Sequence, residues 1–421
     1  MNRLSQFLQY SQKVFQLPRL LRRVREGRPD PEIPLLAVNW CLLLGVITRV
    51  SSYLDLAQQT TRKRWRRLCH LPRAISHDTF GYVTERLQPE DWRLNQAEVL
   101  KTLKRNKALE SCKIKGLLFL SVDGNEQFHS RSRCCQRCCQ RQVEETDEQG
   151  QKHRVIEYYH RYVMAQINGP KLNVLLDVEP ILPGEEECAA ALRLLGRIRR
   201  FYGARFFDGL SFDAWYAKGP FLRPIEKLGW LWVVVLKRQD MEVYQEAQQL
   251  SQAQKPAASF DDEQRQRQVQ LWEVKDLEFS QEYGRAVRVV RSQEQWTEKR
   301  RRGGRKEHQP RCSQWLWAAS AQLDGYGPEV IYQAGHRRWG IENKAFNELT
   351  QGYHLEHCYH HDPTSMLVML LILVFGFTLF TAFALHSQLV RLGELTLKAL
   401  AHELDLALEQ DLPWNQWFHS G

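Results

Sequence analysis

Three features of the 421-residue sequence predict a mixed α/β fold with a helical N-terminal domain and an inserted β subdomain. Residues 1–110 carry helix signals and no strand-like run. From residue 111 the texture changes to short apolar runs closed by turn residues, interleaved with amphipathic helical stretches. Between residues 238 and 310 a polar segment with strand-like runs of its own interrupts that alternation. An apolar content of 43% and a charged content of 26% are ordinary for a globular chain. The length suffices for two or more domains. Met1–Leu20 is polar and mixed, and four of the cysteines are packed into CCQRCC. Neither feature fits a secreted disulfide scaffold, so a reducing, cytosolic compartment is expected.

The net charge of +10 is unevenly placed. Residues 1–110 hold 20 Lys+Arg against 10 Asp+Glu, and the remaining chain holds 39 of each. A basic module joined to a neutral one suggests a polyanion-binding part and a working part. Within the module, Pro31–Ile47 reads as an apolar helix. Arg62, Lys63, Arg64, Arg66 and Arg67 surround Trp65, a composition suited to phosphate contacts with base stacking. Ser76 is placed to cap a helix over Phe80–Leu87, which makes a helix-turn-helix arrangement compatible with the sequence.

The run Gly116–Glu126, GLLFLSVDGNE, predicts a strand buried on both faces and ending at Asp123–Gly124. A polar, Cys-rich excursion follows to about Arg154. Strands are then expected near Tyr158–Ile167 and Leu172–Val178, joined by the hairpin signal Asn168-Gly169-Pro170. An amphipathic helix over 183–200 precedes a fourth strand, Arg205–Phe212. A short helix near 220–228 leads to a fifth strand, Trp230–Leu236. Three antiparallel strands, helix, strand, helix, strand is the element order of an RNase H-like mixed sheet. The interruption supplies strands at 271–279 and 285–291 and a basic loop, Lys299–Lys306, that includes Arg300, Arg301 and Arg302. A strand at Gln314–Ser320 and a helix over 330–349 resume the core. Met366–Leu385 is twenty residues without a charge, which meets the length criterion for a membrane span. With Asp362 before it and Arg391 as the first arginine after it, a buried core helix is the preferred reading.

Three carboxylates stand out. Asp123 and Asp213 end the first and fourth strands, and Glu342 lies on a helix one turn after Arg338. Two strand ends and a facing helix can bring these groups together, although they are far apart in sequence. Phosphoryl transfer by two divalent metals needs such a set of oxygen ligands. Asp208 competes with Asp213 for the second position, both being expected near the end of the fourth strand. In a strand their odd offset would point them to opposite sides.

These residues resemble the DDE transposases of bacterial insertion sequences, in the group with a β insertion between the second Asp and the Glu. The pieces that carry the resemblance are VDGNE (122–126), the CxxC at Cys135 and Cys138, and YYHR (158–161). RFFDGLSFDAWYAKGPF (205–221) and RWGIENKAFNEL (338–349) complete the set. The resemblance implies a metal-binding triad of Asp123, Asp213 and Glu342, loaded with Mg2+ or Mn2+. It implies DNA cleavage at element ends followed by strand transfer, and it makes Arg338 a DNA contact. Related families set a Tyr three residues before this Arg and a Lys seven after the Glu, where this chain has Gly335 and Leu349. Double-stranded DNA is the expected partner, with a homodimer assembled on it, no membrane, and a cytoplasmic, nucleoid-associated location. A non-transposing nuclease of the same fold and a DNA-binding protein anchored at 366–385 are the alternatives. The expected division is a helical DNA-binding domain (1–110), a core in two parts (111–237 and 311–386), the insertion (238–310) and a helical tail (387–421).

Cys135 and Cys138 have zinc-knuckle spacing, and His160 opens the returning strand of the same excursion, so residues 129–160 form a candidate Zn2+ loop. Cys134 and Cys139 are alternates, and His153 or His129 would supply a fourth ligand.

Overall fold

The computed structural model describes residues 2–147, 149–170, 172–302, 305–341, 346–387, 393 and 395–409, with the side chains of 299–307 outside that description. Two compact units divide the chain: residues 1–111, 124–202 and 342–421 form one, and residues 112–123 and 203–341 the other.

The first unit opens with helices α1 (Arg3–Phe15), α2 (Leu17–Arg22), α3 (Leu35–Ile47), α4 (Tyr53–Thr61), α5 (Lys63–Cys69), α6 (His77–Thr84) and α7 (Pro89–Arg105). The side chains of Asn2, Ser52 and Ser76 accept hydrogen bonds from Ser5, Asp55 and Thr79 N–H, so α1, α4 and α6 start where their caps allow. Strand β1 (Phe119–Ser130) runs through both units, and β2 (Cys139–Thr146), β3 (Lys152–Asn168), β4 (Asn173–Ile181) and α8 (Glu187–Tyr202) belong to this one. The first strand does not stop at Asp123–Gly124, as its turn pair suggests, but continues to Ser130. Gly124 has another use: the Glu187 carboxylate, itself held by Arg161 at 2.8 Å, lies where a Cβ at 124 would be. The Cys-rich excursion holds β2, paired with β3 from Cys139↔Tyr159 to Thr146↔Lys152. Its charged, mostly exposed residues offer no apolar alternation to mark it.

After α12 (Asn347–Tyr353), the apolar run becomes α13 (Pro363–His386), which packs against α3, α7 and β4. Trp92 meets Phe375 edge to face at 5.6 Å, and Thr378 Oγ1 accepts a hydrogen bond from Gln96 at 2.8 Å. A Cβ on Gly376 would collide with Val46, so the glycine sets the close approach of α3. The most apolar stretch of α13 is 94% buried within the protein. Burial of a Leu or Phe side chain contributes about 1.5–3 kcal/mol, and α13 spends that surface on protein neighbours. The membrane-anchored alternative is therefore corrected: α13 is a core helix.

The second unit holds β5 (Gly209–Phe212), α9 (Gly219–Lys227), β6 (Leu231–Leu236), α10 (Glu242–Gln252), β7 (Ala258–Asp262), β8 (Arg267–Glu278), β9 (Ala286–Arg302), β10 (Arg305–Ser320) and α11 (Pro328–Arg337). Strands β1, β5 and β6 are parallel, and β10 joins β6 antiparallel before β9, β8 and β7 extend the sheet. The order β4–β3–β1–β5–β6 is that of an RNase H-like sheet. The stretch between β6 and β10 holds β7, β8 and β9 and also α10, which its Gln-rich composition conceals. The strand expected at Gln314–Ser320 is the far end of β10, whose other end pairs with β9 through the basic tip, Arg305↔Arg302.

A buried ion cluster pins α11 to the insertion. Glu294 on β9 is fully buried and accepts from His336 Nε2 at 2.7 Å, Arg267 Nη1 at 2.7 Å, Arg265 Nη1 at 3.0 Å and Ser292 Oγ at 3.2 Å. Tyr332 joins it, bonded to Arg265 at 2.8 Å and to Asp262 at 2.9 Å. Burial alone would raise the Glu294 pKa, but the hydrogen bond from His336 and the arginine charges hold it down at about 2. Burial pushes His336 below its ordinary 6.5 despite Glu294. Both shifts have the same sign in stability. His336 favours the folded state less as pH falls below 6.5, and the Glu294 contribution, present above 4.5, is lost between there and about 2. Urea unfolding across that range should show falling stability. Glu294→Gln should flatten the acid limb while costing about 3–5 kcal/mol at neutral pH, because Arg265 and Arg267 lose their buried counter-charge. An unchanged acid limb in Glu294→Gln would assign the pH dependence elsewhere.

Candidate active site

The parallel pairing of β1 with β5 decides where the two aspartates stand. Its register is Phe119↔Gly209, Leu120↔Leu210, Ser121↔Ser211. Ser121 and Ser211 share a face, their hydroxyls 3.0 Å apart. Side chains alternate along a strand, and Asp123 and Asp213 each come two residues after this pair. Asp213 immediately follows β5 and turns the chain, its Oδ1 accepting from Trp215 N–H at 2.9 Å. Asp123 is 9% exposed and accepts from Arg338 Nη1 at 3.0 Å, and Arg338, just after α11, is 3% exposed. The ion pair satisfies the demand that a carboxylate at the edge of a core be held by a positive charge.

The rival aspartate separates cleanly. Asp208 precedes β5 and its Oδ2 accepts from Leu118 N–H at 2.8 Å, at the strand end away from Asp213. Placing it near the end of the strand was an error of boundary: the strand is Gly209–Phe212, four residues shorter than the apolar run. Glu342 lies outside the described residues. Gly335, where related families have Tyr, stands against Trp317 so closely that any Cβ would overlap the indole. The departure therefore follows from how α11 packs on β10.

Sequence reasoning passed over two side chains next to Asp213. Trp215 is 56% exposed, and Lys218 Nζ lies 4.6 Å from its ring centre. A large exposed ring beside a carboxylate is a signal only once the turn after β5 is known.

The basic segment expected to touch nucleic acid spans α5. Arg62 and Arg67 are exposed, Arg64 and Arg66 half-buried. Arg66 is committed to the C-terminus of α4, donating to Thr60 O at 3.1 Å and Thr61 O at 2.5 Å. Trp65 is 3% exposed and belongs to the core, so its expected role in base stacking is corrected. Arg300, Arg301 and Arg302 fall in β9, but their side chains lie outside the described residues.

The first unit contains a second constellation. Cys135, Cys138, His160 and His361 bring one donor atom each within 4.8 Å of one another. Burial lowers the His160 pKa to about 4, leaving a neutral imidazole at pH 7, and burial raises Cys138 to about 12. Neither expected fourth partner is in this group: His153 faces Glu145, and His129 stacks on Tyr159 beside Glu157. Cys134 and Cys139 are also outside it. His361 was missed because it lies far along the chain, in HCYHHD (357–362), where the density of imidazoles is the available sequence signal.

A family model described as "Transposase DDE domain" matches residues 171–378, a span that includes Asp213 and Glu342 and begins after Asp123. Among solved structures, a piggyBac transposase synaptic complex with hairpin DNA is similar over 97% of this chain and 80% of that one, at 12% identity and a TM-score of 0.44. A comparison with curated protein sequences finds no match.

Proposed function

We propose that this chain, a DDE transposase by its domain at residues 171–378, nicks double-stranded DNA at the ends of its element and joins the freed 3′-hydroxyls to target DNA. The observation that supports the proposal is the parallel register of β1 and β5, in which Ser121 pairs with Ser211 two residues before each aspartate. Two carboxylates, one within β1 and one just after the adjacent strand β5, offer the all-oxygen donor set that Mg2+ or Mn2+ prefers. Asp123, Asp213 and Glu342 would hold the cations. When bound, a pair of such cations activates the attacking oxygen and stabilises the leaving one.

The chain's own groups do the rest. Arg338 orders the Asp123 carboxylate and offers its guanidinium to a phosphate. Lys218 and Trp215, beside Asp213, provide a charge and an apolar plane for the strand being cut. The exposed Arg62 and Arg67, at α5, supply further phosphate contacts, as does, by its sequence, the basic run 299–306. Joining two ends calls for two copies assembled on DNA, acting on the nucleoid in the cytoplasm. The direct test is Mg2+-dependent nicking and joining of a labelled duplex that carries the sequences flanking the gene. No nicking of that duplex by folded protein, with either Mg2+ or Mn2+, would overturn the proposal.

DNA affinity of the whole chain should fall steeply with salt, and Arg62, Arg64 and Arg67 changed together to Ala should reduce the slope by up to about 3. Arg66 is left in place in that variant because it holds α4. A salt slope identical to the parent's would remove α5 from the DNA surface.

A further inference from the structure

We propose that Cys135, Cys138, His160 and His361 form a closed, four-ligand structural zinc site that fastens the start of α13 to the sheet. Zinc takes thiolate sulfur at about 2.3 Å and imidazole nitrogen at about 2.0–2.1 Å in tetrahedral geometry, which places two sulfurs roughly 3.8 Å apart and a sulfur and a nitrogen roughly 3.5 Å apart. The two Sγ atoms are 3.7 Å apart. His160 Nε2 lies 3.5 Å from Cys135 Sγ and 3.3 Å from Cys138 Sγ, and His361 Nε2 lies 3.4 Å from Cys138 Sγ. Both histidines use the same ring nitrogen toward the same point. The sulfurs are too far apart for a disulfide, which needs about 2.05 Å.

The surrounding backbone favours thiolate. Cys135 N–H points at Cys138 Sγ at 3.2 Å and Arg137 N–H at Cys135 Sγ at 3.4 Å, while Cys138 N–H closes the turn on Cys135 O at 3.1 Å. Donors aimed at ligand sulfur are the outer support that metal sites need. Phe128 packs on the His361 ring at 4.6 Å, shielding the centre. With four protein donors no coordination position is left for a substrate, so the site is structural.

What it fastens follows from the neighbours of His361. Asp362 caps α13 through Thr364 and Ser365 N–H, both at 2.9 Å. His360 Nε2 reaches Glu85 at 2.5 Å, Tyr359 OH bonds Val50 O at 3.3 Å, and His354 Nε2 meets Arg49 O at 3.1 Å. Residues 354–362 thus touch the segment between α3 and α4 and the end of α6 on one side and, through the metal, β3 and the turn before β2 on the other. The site is independent of the reading of Asp123 and Asp213.

The experiment is elemental analysis and cobalt substitution on the whole chain purified without oxygen. The parent should carry about one zinc per chain, and its Co2+ form should show thiolate charge-transfer bands with the intense visible bands of a tetrahedral site. Cys138→Ser should lose the metal, and His361→Ala should bind it more than tenfold more weakly with an altered cobalt spectrum. Cys134→Ser and Cys139→Ser should match the parent. Should His361→Ala fail to fold, metal-stripped parent decides: zinc added back should protect two thiols, raise the melting temperature and slow trypsin cleavage at Arg133 and Arg137. Folded parent without zinc overturns the site. A His361→Ala protein with parental zinc affinity and cobalt spectrum, or stripped parent indifferent to zinc, overturns it equally.

Discussion

On the proposed function, Asp123→Asn and Asp213→Asn should each lower Mg2+-dependent nicking by about 10³-fold or more, since the removed charge is one that would hold the cations. Asn keeps the size and one oxygen, so Asp213→Asn still accepts from Trp215 N–H and should fold, as circular dichroism would check. DNA binding at low salt should persist in both, because the basic segment around α5 is unaltered. Glu342→Gln should fall as far if the third ligand comes from the helix the sequence predicts there. The control is Asp208→Asn. Its oxygen can go on accepting from Leu118 N–H, and at the far end of β5 it has no part in the site, so nicking should stay within a few-fold of the parent. Loss in Asp208→Asn with retention in Asp213→Asn would reassign the second ligand.

Much of this arrangement was legible because buried parallel strands announce themselves. Leu117–Val122 and Trp230–Leu236 are apolar without alternation, as strands covered on both faces must be, and Asp123 directly follows the first of them. The strand boundaries were less legible, for a physical reason. Phe206 and Phe207 are buried like the strand residues after them, so apolar character extends past the hydrogen-bonded segment and drew Asp208 toward the wrong end. Strand β2 and helix α10 were hidden because both are polar, the one held by cross-strand pairing and the other packed against β8. Trp65 looked like a stacking residue because basic neighbours surround it in sequence, whereas a seven-residue helix turns it inward. The length of α13 satisfied the membrane criterion, and only its partners show that a long, uncharged helix can be the centre of a protein core. His361 was out of reach of any spacing rule, since its partner Cys138 lies 223 residues earlier in the chain.

Arg338→Gln should impair nicking by at least about 10²-fold, and its effect on stability should depend on divalent metal. In the parent, Asp123 is balanced by the Arg338 guanidinium at 3.0 Å with both side chains nearly buried. Removing one partner of a buried pair typically costs about 3–5 kcal/mol, most of it from the charge left without its counter-ion. Asp123 would regain a counter-charge from a bound cation. The melting temperature of Arg338→Gln should therefore lie well below the parent's in the absence of divalent ions, and Mg2+ or Mn2+ should raise it more than it raises the parent's. Arg338→Lys keeps the charge but not the planar fork, so it should restore the metal-free stability in part and nicking less. Asp123→Asn separates the two roles of the arginine. In that background, the change Arg338→Gln should leave the response to metal flat. An equal metal-induced shift in parent and Arg338→Gln would show that the arginine and the cation do not answer to the same carboxylate.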